Sequence, residues 1–193
     1  MRVIISYIIN MLPYMLIALP VYLVARGIYI KVKKKEFNPI REVILLGFVV
    51  FIAGLTSQTV IPKFEFGVDG FGIVENGVHQ TNLIPFKVFS QTRYEVFVNK
   101  NINYFLINFL GNIILFMPFG FFIPLLWRIS AIKAVIIGFL ASLFIETCQL
   151  FLARGTDVDD LILNTFGALL GAILFKIIRR YCKGFVEKFA FKK

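Results

Sequence analysis

Between Ser142 and Gly171 the chain sets Glu146, Gln149, Arg154, Asp157, Asp159, Asp160 and Asn164 between two strongly apolar segments. An ionisable group at the centre of a membrane helix costs about 2.5 to 3.5 kcal/mol on insertion scales, so a group of them marks a functional site. Glu146 and Asp160 are the catalytic candidates, because a carboxyl in apolar surroundings suits a general acid or base. Asp157, Asp159 and Asp160 offer oxygen ligands to a hard divalent cation. The same acidic spacing also complements the dipole at a helix start, so it points to metal only weakly. Arg154 suits a phosphate or carboxylate. No Ser or Cys nucleophile with a partner base is evident. His79, the only histidine, reads as an ordinary loop residue, since no second nitrogen ligand exists.

Such residues need a scaffold that holds them at or in a bilayer. With 59% hydrophobic residues, 23 Phe in 193 positions and a mean hydropathy of +0.82, the chain exceeds what water-soluble domains carry. The reading is an all-α integral membrane protein. A helix needs about 20 apolar residues to cross the hydrocarbon core, and five segments qualify: 3–30, 43–61, 104–127, 134–153 and 161–178. Pro13, Pro20, Pro118 and Pro124 predict kinks, with the third span the most broken. The first segment is too long for a signal-peptide core and lacks a small-residue cleavage site, so it is read as retained. No internal repeat or linker divides residues 1–193, which are expected to form a single transmembrane domain.

Orientation follows from Lys and Arg. Lys31, Lys33, Lys34, Lys35 and Arg41 follow the first span, Arg128 and Lys133 follow the third, and seven more lie at the far end, Lys176 in the last turn of the fifth span and six in the tail 179–193. Only Arg2, Lys63, Lys87, Arg93, Lys100 and Arg154 fall on the other side. The asymmetry predicts an external amino terminus and a cytoplasmic carboxyl terminus. The net charge of +10 flanks spans instead of forming a groove-sized patch, which argues against nucleic acid and for anionic lipid as the partner of the basic face.

Spacing brings the polar groups together. Ser142, Glu146 and Gln149 share one helix face, and Asp157, Asp160 and Asn164 share another, so two polar stripes on antiparallel neighbours can meet. Gly167 and Gly171 form a small-xxx-small pair that admits a neighbouring helix, and Asn108 and Asn112 add a third stripe. Interhelical hydrogen bonding, worth about 0.6 kcal/mol on average, accounts for Asn108, Ser142 and Gln149 alone. It accounts poorly for Glu146, Arg154 and three aspartates together, because one arginine cannot neutralise four carboxylates.

The long external loop, 62–103, is expected to hold a small hairpin or cap: Phe64-Glu65-Phe66 alternates and Asn76-Gly77 suits a type I′ turn. Asn82 opens the apolar run that ends at Phe86, and Asn82 and Asn112 are expected to close the pocket. Cys148 and Cys182 fall at opposite membrane faces, so no disulfide is expected between them.

Asn82-Leu83-x-Pro85-Phe86, Asn112-x-x-x-Phe116-x-Pro118-x-Gly120, Glu146-x-x-Gln149, Arg154-x-x-Asp157-x-Asp159-Asp160 and Asn164-x-x-Gly167-x-x-x-Gly171 together resemble the VanZ-like membrane proteins over residues 81–171. The resemblance implies a protein of the bacterial cytoplasmic membrane whose family namesake lowers sensitivity to teicoplanin-type glycopeptide antibiotics. Two functions are then open. In the favoured one, Glu146, Gln149, Arg154, Asp157, Asp159, Asp160 and Asn164 bind an outward-facing amphiphile, either a lipoglycopeptide or a lipid-linked cell-wall precursor. In the alternative, the cluster is an intramembrane hydrolase or transferase of a lipid-linked envelope substrate, with Asp157, Asp159 and Asp160 as weak candidates for a divalent cation.

Overall fold

Among the described residues, five helices are long and apolar enough to cross a membrane: Ile8–Lys33, Pro39–Thr59, Ile102–Trp127, Ala131–Phe151 and Val158–Tyr181. Each lies within a few residues of its predicted span, because bilayer thickness fixes the length of an apolar run. The computed structural model describes residues 2–34, 37–61, 64–67, 70–73, 81–152, 155–182, 184 and 186. Helix α1 (Arg2–Lys33) is followed by α2 (Pro39–Thr59), whose first turn is closed by the Asn38 side chain and by Pro39 at the helix start. Strands β1 (Phe64–Gly67) and β2 (Gly70–Ile73) pair antiparallel, and β3 (Thr81–Asn82) leads to helix α3 (Lys87–Phe97).

The third span is built of α4 (Ile102–Tyr104), a π-helical stretch (Phe105–Gly111) and α5 (Asn112–Trp127). Helix α6 (Ala131–Phe151), strand β4 (Thr156–Asp157) and helix α7 (Val158–Tyr181) complete the chain.

The centre of the bundle is the contact of α5 with α7. A Cβ on Gly167 would overlap the carbonyl oxygen of Ile113, and one on Gly171 that of Met117; from the other side Gly120 lies on the carbonyl of Ala168. Residue numbers rise together along both helices, so the third and fifth spans run parallel in direct backbone contact. Lipid tails are as apolar as leucine, so this close approach, not transfer from water, holds the helices together. Helix α6 crosses antiparallel, with Gly138 against Ala168. Phe48, Leu55, Phe116, Phe119, Ile123, Leu126, Ala134 and Ile145 fill the space between α2, α5 and α6. Helix α1 lies on the outside, where Met11 and Met15 cover Gly54 and Arg26 grips both oxygens of Glu42 at 2.7 Å.

The hairpin contains the predicted Phe64-Glu65-Phe66 strand, and its register closes between Gly67 and Gly70; Asn76-Gly77 and His79 lie outside the described residues. Two expectations change. The third span is continuous through Pro118 and Pro124, and its irregularity comes earlier, at Phe105–Gly111. Arg41 is not a link residue: it lies in α2 with 2% of its surface exposed and donates to the Leu126 carbonyl at 3.4 Å. Cys148 and Cys182 are both free.

Candidate functional site

The polar residues gather where the link from α6 to α7 meets the segment ahead of α3. Strands β3 and β4 pair in parallel there, Thr81 against Thr156 and Asn82 against Asp157. The pairing is extended by side chains. Asn82 Nδ2 donates to Asp157 Oδ1 at 2.8 Å, and the same oxygen accepts the N–H of Asp159 at 2.8 Å, which makes Asp157 the N-cap of α7. Asn82 Oδ1 accepts from the Ile84 N–H at 3.2 Å and so turns the chain toward α3. The N–H of Asp157 in turn donates to Glu146 Oε2 at 3.0 Å, bringing α6 into the assembly.

Asp159 points away from this turn. Its two oxygens accept the N–H groups of Phe86 and of Val88, the latter at 2.7 Å, and only 1% of the residue is exposed. Those N–H groups belong to the start of α3, where no side chain of α3's own cap provides an acceptor. A carboxylate at a helix amino end is favoured by the free N–H groups and by the dipole. It also holds Phe86 at φ 66°, a left-handed conformation that a bulky residue adopts at a cost of about 1 to 3 kcal/mol.

Asp160 occupies the next position of α7 and accepts from Asn112 Nδ2. Asn112 also donates to the Asn108 carbonyl at 3.2 Å, and Asn108 to the Tyr104 carbonyl at 3.2 Å. One turn deeper, Asn164 Nδ2 donates to Ser142 Oγ at 2.9 Å, and both residues are buried. The two predicted stripes thus meet in this pair. The side-chain oxygen Oδ1 of Asn164 is buried and takes no hydrogen bond from a described residue. Gln149 stands apart: it donates to the Thr59 carbonyl at 3.3 Å and ties α6 to α2. Arg154 lies outside the described residues.

Above this network lies a cavity of about 600 Å³, lined by Asn82, Asp157 and Asp160 together with Thr81, Lys87, Val88, Gln91, Tyr104, Asn108 and Gly155. Thr81, Lys87, Gln91 and Tyr104 were not among the residues singled out from the sequence. Two signals could have found three of them: Tyr104, Asn108 and Asn112 recur at i, i+4, i+8, and Lys87 and Gln91 at i, i+4. Lys87 is the one cation among the described residues on the wall, in a cavity that Asp157 and Asp160 also line. Carboxylates and amides of this kind suit ligand amines and hydroxyls, and the lysine suits an anion. As to metal, no three His, Cys, Asp or Glu among the described residues group closely enough to hold an ion. The oxygens of Asp159 are both engaged by backbone, and Asp157 Oδ1 already accepts two hydrogen bonds.

No curated protein and no solved structure matches the chain. The profile of the VanZ/LLP1 family matches residues 43–179, which takes in the second span as well as every element of the polar network. That match covers most of the sequence, and the multi-pass membrane protein described here belongs to the VanZ/LLP1 family.

Proposed function

We propose that the cavity beside Asp157 and Asp160 takes the polar head of an amphiphile reached from the outer face of the bacterial cytoplasmic membrane. That amphiphile is a lipoglycopeptide antibiotic or a lipid-linked cell-wall precursor, and its capture lowers glycopeptide susceptibility. The observation that carries this reading is a polar cavity of about 600 Å³ sharing helix α3 with an apolar groove lined by Phe89, Tyr94 and Phe97. Lys87 and Gln91 face the cavity while the aromatic residues face the groove, so one helix serves a head and a chain. Membership in the VanZ/LLP1 family supports a link to glycopeptides through the family's namesake. The basic residues concentrated at the opposite end of the bundle support an external site and a cytoplasmic carboxyl terminus.

The test is direct binding to the full chain in lipid nanodiscs, with a fluorescent teicoplanin-type lipoglycopeptide and a lipid-linked precursor as probes. Saturable binding of one of them, weakened at least tenfold by Asp160→Asn, is expected. Absence of saturable binding of either probe overturns the reading. Conversion of the lipid-linked probe, with or without an added divalent cation and lost in Asp160→Asn, would assign the cavity to a hydrolase or transferase instead.

A further inference from the structure

Helix α3 reverses the pattern of a helix at a water-facing surface. Its Val88 packs against Ile113 and Leu163, and its Gln91 accepts from the Tyr104 hydroxyl at 3.1 Å. Its aromatic residues are largely uncovered: Phe89, whose ring meets that of Phe109 edge-on at 5.3 Å, Tyr94 and Phe97 are 53%, 57% and 69% exposed, and with Arg93 they line a groove of about 630 Å³. The preceding loop continues this surface with exposed Leu83, Ile84 and Phe86. A contiguous apolar patch of this kind marks an interaction surface.

The chain keeps that patch beside the bilayer. Phe97 ends α3 and Ile102 begins the third span. The four residues between them reach at most about 18 Å when fully extended. Ile102 is itself exposed, so the aromatic surface runs on into the apolar flank of the span. Charge points to the same neighbour. Lys87, Arg93 and Lys100 face a single acid in this stretch, Glu95, whose carboxylate is occupied by the side-chain amides of Asn99 and Asn101 at 3.0 and 3.2 Å. Basic residues beside exposed aromatics complement the phosphates and acyl chains of a lipid interface.

The geometry points to α3 as a lipid-docking helix that lies in the bilayer interface, with Phe86, Phe89, Tyr94 and Phe97 among acyl chains and Arg93 and Lys100 on lipid phosphates. The occupant is bilayer phospholipid, among whose acyl chains the chain of an amphiphile held in the neighbouring cavity would also lie, and the assignment stands whether or not that cavity is filled.

Tryptophan quenching tests it. Trp127→Phe removes the only native tryptophan, and Phe97→Trp, or Tyr94→Trp if that variant does not fold, places a reporter on the exposed face of the full chain. In phosphatidylglycerol nanodiscs, phospholipid brominated on its acyl chains should quench this reporter at least threefold more than aqueous acrylamide does. Combining Arg93→Glu with Lys100→Glu should cut the bromolipid quenching at least twofold. Stronger quenching by acrylamide overturns the assignment. So does bromolipid quenching that falls as more copies share one disc, since that result assigns the face to a second copy of the chain.

Discussion

The carboxylate of Asp159 meets the backbone N–H of Val88 at 2.7 Å across 71 residues of sequence. With the Phe86 N–H on its other oxygen, Asp159 serves as the acceptor that α3 lacks at its own start, and so fixes that helix over α7. The wall of the cavity that contains Lys87, Val88 and Gln91 is therefore held by the last span.

Asp159→Ala should lower stability by about 3 kcal/mol, because it removes two charge-assisted bonds and leaves the buried N–H of Val88 and the part-buried N–H of Phe86 unmet. Asp159→Asn keeps one acceptor oxygen and should cost roughly half as much. Denaturation followed in detergent measures both. Equal stability of Asp159→Ala and the unaltered chain would remove Asp159 from this role.

The contact of α5 with α7 has no room for a methyl group at Gly167 or Gly171, because each faces backbone carbonyl oxygen that cannot swing aside. Gly167→Ala and Gly171→Ala should each cost about 3 kcal/mol, at the upper end of overpacking changes. Gly47→Ala in α2 meets nothing within 4 Å and should be neutral or slightly stabilising. Comparative thermal unfolding of the three variants checks the contrast.

Asn82→Ala and Asn112→Ala should reduce the yield of folded protein, since each withdraws the amide donated to an aspartate, Asp157 or Asp160. Glu146→Gln and Asp160→Asn preserve shape and should fold normally while losing ligand affinity or the change in glycopeptide susceptibility. Size-exclusion profiles read beside binding separate the two groups. Full function in both charge-neutral variants would make the acidic cluster structural.

Cysteine placed at Asn76 should react with an impermeant reagent from outside intact cells, and cysteine at Lys183 should not. The reverse result would invert the orientation and close the cavity to external ligands.

Much of the scaffold can be read from residue types because it depends on short-range rules. Span positions follow from apolar length, and Gly167 with Gly171 announces a close helix contact. The Ser142 and Asn164 stripes meet because helical spacing puts them on facing sides. Tertiary placement is less legible. Nothing local distinguishes Asp159, turned onto α3, from Asp160, turned toward the cavity; the difference arises from where α3 sits. Arg41 reads as a loop charge until Leu126, 85 residues away, supplies a carbonyl. Helix α3 is short, and its apolar side faces outward, so its pattern gives no sign of a buried face.

The π-helical stretch Phe105–Gly111 lies in the cavity wall. Its backbone bonds reach five residues instead of four, and the amides of Asn108 and Asn112 donate to the carbonyls four residues back that α-helical N–H groups would have used. The wide turn thus absorbs one extra residue without turning the faces on either side of it. Loss of a single residue here would let the span run on as an unbroken helix with Tyr104 still on the cavity side of α5. A residue lost from the regular α-helix of α5 itself would instead rotate everything ahead of it by about 100° about the axis and carry Tyr104 off the cavity. The wide turn is therefore the one place in this wall where the span can change length by a residue and keep its aim.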